Sequence, residues 1–163
     1  MSKYLDKGDI IIRDSVIDDA MIIAKDMRQA DKDEIWASHH KDPLNALVDG
    51  YKQSTLCYTV TFKGEPIAMY GCVPHSFLGD TANIWLLATN NLCNCRRKLL
   101  RYDRLFVRYM LSHYSKLSNF VDIRNEVSIK WLTWLSAKFE QARPYGIDGK
   151  LFHPFSFDKE SYA

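Results

Sequence analysis

The sequence holds little that would set it outside ordinary globular proteins. Its apolar runs, such as Met21-Ile22-Ile23-Ala24, are far too short to span a bilayer, so a helical membrane segment is excluded. The opening stretch Met1-Ser2-Lys3-Tyr4-Leu5-Asp6 lacks an apolar core. No signal peptide is therefore expected, and the protein is expected to stay in the compartment where it is made. Charge of one sign is scarce: 22 basic against 20 acidic residues leaves +2, too weak to argue for nucleic acid. Cysteine is limited to Cys57, Cys72, Cys93 and Cys95, expected to be reduced thiols in the absence of a secretory signal. One residue separates Cys93 from Cys95, less than a zinc knuckle needs, and no second pair stands at ligand spacing, so no metal site is expected. There is no Gly-x-Ser-x-Gly and no activated-cysteine pattern, which removes support for nucleophilic catalysis. Repeats, low-complexity tracts and linkers are absent, and 163 residues suit a single domain with one core.

What is present alternates between strand and helix patterns. Gly8 to Arg13, with three isoleucines, reads as a strand. Ser15 and Asp18 form a capping pair for a helix to about Gln29 whose apolar face is Met21, Ile22, Ala24 and Met27. Further helices are expected over Lys32–His40 and Pro43–Gln53, the latter with proline in its first turn. Leu56 to Phe62 alternates with period two, Lys63-Gly64-Glu65-Pro66 turns the chain, and Ile67 to Val73 returns it. Pairing Phe62 with Ile67 would set Cys57 opposite Cys72. After a loop come a buried strand, Asn83 to Ala88, and a long helix from Cys95 to about Tyr114. A strand at Phe120–Ile123, a helix at Ser128–Leu135, and two strands near Lys138–Gln141 and Leu151–Phe157 complete the chain. The order implies an α/β domain: one mixed, mostly antiparallel sheet of six to seven strands with helices on both faces.

Along the long helix, Leu99, Leu100, Phe106, Val107, Met110 and Tyr114 share one side, and Arg97, Arg101, Arg104 and Arg108 share the other. That stripe reads either as a site for phosphates or an acidic partner, or as a solvated face opposite the core. Asp103 falls in the apolar arc and calls for an arginine or hydroxyl partner, because a buried lone carboxylate is costly. The polar run Thr89-Asn90-Asn91 feeds the helix N-terminus, where free N–H groups and the helix dipole favour an anion. Phosphate cradles normally use glycine; here Asn90, Asn91 and Asn94 stand with Cys93 and Cys95 between them. The histidines are scattered or, as His39 and His40, sit at a helix end. Asp18 and Asp19 lie at a helix start, where capping explains them.

Three stretches carry a family resemblance. They are Met27-Arg28 with Asp31 and Glu34-Ile35; Ile84-Trp85-Leu86-Leu87-Ala88-Thr89; and Asn119 through Asn125 to Ser128-Ile129-Lys130-Trp131-Leu132. With Ala137-Lys138-Phe139 and Phe152 to Phe155 they cover nearly the whole chain. In strand order the protein resembles the GNAT N-acetyltransferase superfamily, which binds acetyl-CoA between its fourth and fifth strands. More narrowly it resembles the GNAT-like internal virion protein A family of short-tailed bacteriophages. The resemblance would place a cofactor along Ala88, Thr89, Asn91, Asn94, Cys95, Arg96, Arg97 and Asn125. Where the superfamily reads Gln/Arg-x-x-Gly-x-Gly/Ala, however, this chain has Asn91, Asn94 and Arg96. Leu132 replaces the tyrosine that often serves as general acid, and Ser136 a glycine four residues further on. The resemblance then implies a phage-encoded virion protein for assembly or ejection, without turnover and without a cofactor. It would reside in the host cytoplasm and the particle, among other virion proteins. The alternative it implies is an acetyl-CoA-dependent N-acetyltransferase acting on a host or phage protein. A third expectation is a protein that engages a host factor through Arg97, Arg101, Arg104 and Arg108.

Overall fold

The computed structural model describes residues 3–162. Its strands are β1 (Lys3–Lys7), β2 (Ile10–Asp14), β3 (Leu56–Phe62), β4 (Glu65–Pro74), β5 (Thr81–Ala88), β6 (Lys116–Asp122), β7 (Lys138–Phe139), β8 (Arg143–Tyr145) and β9 (Lys150–Asp158). Helices α1 (Ile17–Lys25), α2 (Gln29–His39) and α3 (Pro43–Gln53) precede β3; α4 (Arg96–Leu111) and α5 (Glu126–Trp134) flank β6. The strands form one sheet in the order β1-β2-β3-β4-β5-β6-β9-β7, with β8 also on β9. Only β5 and β6 run parallel. The α/β architecture agrees with the sequence reading, and the sheet has nine described strands rather than six or seven because β1 and β8, both short, give no clear pattern.

Alternation along the strands sends side chains to two helical layers. Ile12, Tyr58, Val60, Tyr70 and Cys72 meet Leu99, Val107 and Met110 of α4. On the other face Met69, with Trp85 and Leu87, meets Ala20 and Ile23 of α1, Ile35 of α2 and Leu47 of α3. Truncating a buried leucine such as Leu47 in a layer of this kind costs about 2–5 kcal/mol.

Several local expectations are corrected. The β3–β4 turn is two residues, Lys63 (φ 50°) and Gly64 (φ 84°), so Phe62 pairs with Glu65. Two successive positive φ values favour glycine and match the twist of a tight hairpin. Pro66 has no N–H for the ladder, and a bulge follows it, so Val60 pairs with Ala68. Cys57 then faces Gly71 while Leu56 faces Cys72. The one-residue slip sends the two thiols to opposite faces of the sheet. The capping pair is not Ser15–Asp18: the Val16 N–H donates to Asp19 Oδ2 (3.0 Å), and Ser15 bonds Thr59 instead. Asp19 is buried and also takes both guanidinium nitrogens of Arg13, at 2.7 and 2.8 Å. Burial pushes its carboxyl up, but these donors outweigh burial and hold it below the ordinary carboxylate range. α1 buries Ala20 and Ile23 and leaves Met21 and Ile22 exposed. It stops at Lys25, short of Gln29, and α2 begins at Gln29 rather than Lys32.

Ser136, just after α5, adopts φ 67°. That left-handed backbone costs an L-residue roughly 1–2 kcal/mol, which explains why a glycine suits this place. Ser136→Gly is expected to raise stability by about 1 kcal/mol, seen as a melting temperature about 2–4 °C higher. An unchanged or lower midpoint would show that Ser136 carries no strain.

Candidate functional site

β5 and β6 pair only from Thr81↔Lys116 to Asn83↔Ser118. Each continues beside its other neighbour, β5 to Ala88 on β4 and β6 to Asp122 on β9. The two therefore splay apart, and the Asn119 side chain spans the opening to donate to the Ile84 carbonyl (2.7 Å). Asn83 to Leu87 lie on a central strand yet are only half-buried, because they line a cleft rather than a neighbouring strand.

On the α1–α3 side the cleft opens a cavity of about 230 Å³, which includes Glu34, Trp85, Phe120, Trp131, Leu132 and Tyr145 in its wall. Trp85 lies flat across α3 at Gly50, where a Cβ would stand 2.8 Å from its ring. On the α4–α5 side a smaller cavity of about 100 Å³ shares Ile84, Leu86, Trp131 and Leu132 with the first. Tyr70 lines it, and its hydroxyl is buried without a hydrogen-bond partner among the described residues. Asp103 also lines it, and its partner is the Trp131 indole N–H (2.8 Å), not the arginine or hydroxyl expected. Burial pushes the Asp103 carboxyl up to about 6.

Beyond the carboxyl ends of β5 and β6 lies a recess of about 590 Å³, walled by Arg28, Asn90, Cys93, Arg96, Arg124 and Asn125 among others. Three arginines from three segments converge there. Arg28 forks onto Asp31 (2.8 and 3.0 Å), Arg124 onto Asp122, and Arg96 reaches across to the Val127 carbonyl (3.3 Å). Burial, and then the nearby Arg28 guanidinium, push the Arg96 pKa down. Three guanidinium groups at three helix starts, two of them already paired with a carboxylate, favour an anion between them.

Glu34 stands inside the cleft. Its Oε1 accepts from the Asp122 backbone N–H and from Asn125 Nδ2, both at 3.0 Å. Among the described residues Oε2 has no hydrogen-bond partner, and it is not fully buried in a residue that lines the cavity. Burial raises the carboxyl from 4.5 to about 7, against the two hydrogen bonds and with help from the charges of Asp31 and Asp122. This is the value at which a carboxylate accepts and returns protons near neutrality.

Of the residues the resemblance put along a cofactor, Arg96 and Asn125 line the recess. Asn125 also caps α5, accepting from the Ser128 N–H. Thr89 caps a 3-10 turn over Asn90–Asn94, and the side chains of Asn91 and Asn94 bond each other. Ala88 and Thr89 are buried, Cys95 turns its buried thiol to the Leu92 carbonyl, and Arg97 is exposed. The long helix starts at Arg96, not Cys95, and ends at Leu111. Its four stripe arginines are exposed, but Arg104 lies over the Trp134 ring (4.6 Å) and donates to the Trp134 carbonyl (2.7 Å). Glu34, Arg28 and Arg124 received no role in the sequence reading, since a charged residue on a polar helix face or in a loop carries no pattern of its own.

No protein-family model matches the chain, and no curated protein matches it. Solved structures do. A ribosomal-protein-S5-alanine acetyltransferase from Vibrio fischeri matches with a TM-score of 0.69 at 16% identity, over 100% of both chains. A GNAT-family acetyltransferase from Bacillus anthracis matches at 0.68 and 11% identity, over 96% of this chain and 98% of the other. A spermidine N-acetyltransferase chimera from Vibrio cholerae matches at 0.66 and 12% identity, over 95% and 98%. The fold is thus that of GNAT acetyltransferases. Nothing in these matches points to a phage virion protein.

Proposed function

We propose that the cleft takes acetyl-CoA and that the protein transfers the acetyl group to an amine, with Glu34 as the base. The observation that carries this is the splay of β5 and β6, with an arginine-walled recess at its outer end and a carboxyl poised near neutrality within. The fold shared with acetyltransferases supports it. The recess suits a diphosphate: Arg28, Arg96 and Arg124 would hold its charge, and the start of α4 would add backbone N–H groups. Arg96 extends across to α5 rather than folding back over its own helix start, so its bulk borders that approach. Bound there, acetyl-CoA would supply the acetyl thioester.

The amine nitrogen forms the new C–N bond as the thioester C–S bond breaks. An amine that enters as its ammonium would first lose one proton to Glu34 Oε2, which returns it to solvent, and the second, shed as the nitrogen is acylated, would take the same route. Leu132 has no proton to offer the leaving sulfur, so water supplies it. Calorimetric titration with acetyl-CoA is expected to give a micromolar dissociation constant. Arg96→Glu should weaken it by about 10–100-fold, the worth of one charge-assisted contact, at an unchanged melting temperature. Absence of heat from the native protein up to millimolar acetyl-CoA would sink the reading.

A further inference from the structure

The acceptor side of the cleft says more than that an amine enters. We propose that the cavity on the α1–α3 face binds a primary monoamine one or two carbons from an aromatic ring, and rejects polyamines. Its turnover rests on the acetyl-transfer reading; its binding does not.

The cavity is small. At about 230 Å³ the cavity falls below the ~300–1,000 Å³ typical of drug-sized ligands, so the occupant is small. Its walls are largely aromatic. Trp85, Phe120, Trp131, Tyr145, Phe152 and Phe155 surround it, an aromatic lining far in excess of what a hydrated polyamine chain would match. Phe120 and Tyr145 are stacked with centroids 3.8 Å apart, and Tyr145 meets Phe152 edge-on, so this wall is a rigid surface for a ring.

Free carboxylate acceptors in the wall are few. Asp31 lines the cavity, but its two oxygens are taken by the Arg28 fork and by the Ala88 N–H (3.0 Å). Asn119 spends its amide on the Ile84 carbonyl and its oxygen on the Phe120 N–H. The Ser38 hydroxyl donates to the Glu34 carbonyl (2.7 Å). Asp122, behind Glu34, is held by Arg124. Glu34 Oε2 is the one carboxylate oxygen left in the wall among the described residues, so there is one seat for an ammonium. The His39 imidazole and the Tyr145 hydroxyl also line the cavity, but a second ammonium would find no second free carboxylate there, and at the Phe120 end it would approach Arg143, whose guanidinium lies 5.5 Å from the ring centroid.

The test titrates the 163-residue protein, without acetyl-CoA, with 2-phenylethylamine, with a tripeptide beginning in phenylalanine, and with spermidine. Binding of either aromatic amine at least tenfold tighter than spermidine is expected, and the tighter of the two identifies a free amine or a peptide N-terminus as the source. Glu34→Gln should weaken that binding at least tenfold at an unchanged melting temperature. Spermidine binding as tightly as the aromatic amines, or no aromatic-amine binding up to 10 millimolar (roughly the limit of specific recognition), overturns the proposal. Either result leaves the acetyl-CoA titration to be judged by itself.

Discussion

Glu34→Gln is expected to lower the rate of acetyl transfer by about 10²–10⁴-fold while leaving acetyl-CoA affinity unchanged. Glutamine keeps the acceptor for the Asp122 N–H and Asn125 Nδ2, so the arrangement of β6, α5 and α2 is preserved, but it cannot take a proton. In the native protein kcat/KM should climb with pH through about 7 and level off above, because the base works only once it is ionised. The variant should lose that limb. Stability provides the control. The folded carboxyl holds its proton up to about 7, whereas the unfolded one releases it near 4.5. Between those values the folded state binds more proton, so this group makes the fold less stable as pH rises through the window. Glutamine has no such loss, and the variant at pH 8 should melt no lower than the native protein. A residual rate within a few-fold of native would remove Glu34 from the chemistry.

How far the sequence led can be judged at particular residues. α3 was legible to its ends because Pro43 opens it and Asp42 caps it, accepting from the Asn45 N–H. The β3–β4 pair was legible by its alternation, but its register was not, since the bulge after Pro66 is settled by which strands flank it. The arginine stripe was legible as a face, whereas the fold of Arg104 onto Trp134 depends on where α5 packs. Arg28, Asp31 and Glu34 stand close together in sequence, yet nothing local distinguishes their roles. Glu34 becomes a candidate base only when Asp122 and Asn125, 88 and 91 residues away, close over it. The same holds for the recess: its arginines come from three separate segments, and their convergence is a product of the splay. The expectation of a protein without turnover rests on local departures such as Leu132 and Arg96, which say nothing of whether another group, such as the proposed base Glu34, stands in for what they lack.

Asp31→Ala is expected to cost about 3–5 kcal/mol, the usual penalty for removing one partner of a buried ion pair. Asp31 is 2% exposed, and its two oxygens join three things: the Arg28 fork, the last N–H of β5 at Ala88, and its own helix α2. Alanine would leave a half-buried guanidinium and a buried backbone N–H unpaired, each with a desolvation cost and no return. For a domain of this size the melting temperature should fall by about 10 °C. Arg28→Ala in the same background should recover part of the loss, because the stranded charge goes with it, and the double variant should cost less than the sum of the two. Asp31→Asn separates stability from chemistry. It retains an acceptor for Ala88 but removes a negative charge that helps raise Glu34, so the acid limb of the rate profile should move to lower pH. A loss below about 1 kcal/mol in Asp31→Ala would mean that water reaches the pair, and that α2 is held against β5 by Ile35 and its apolar neighbours instead.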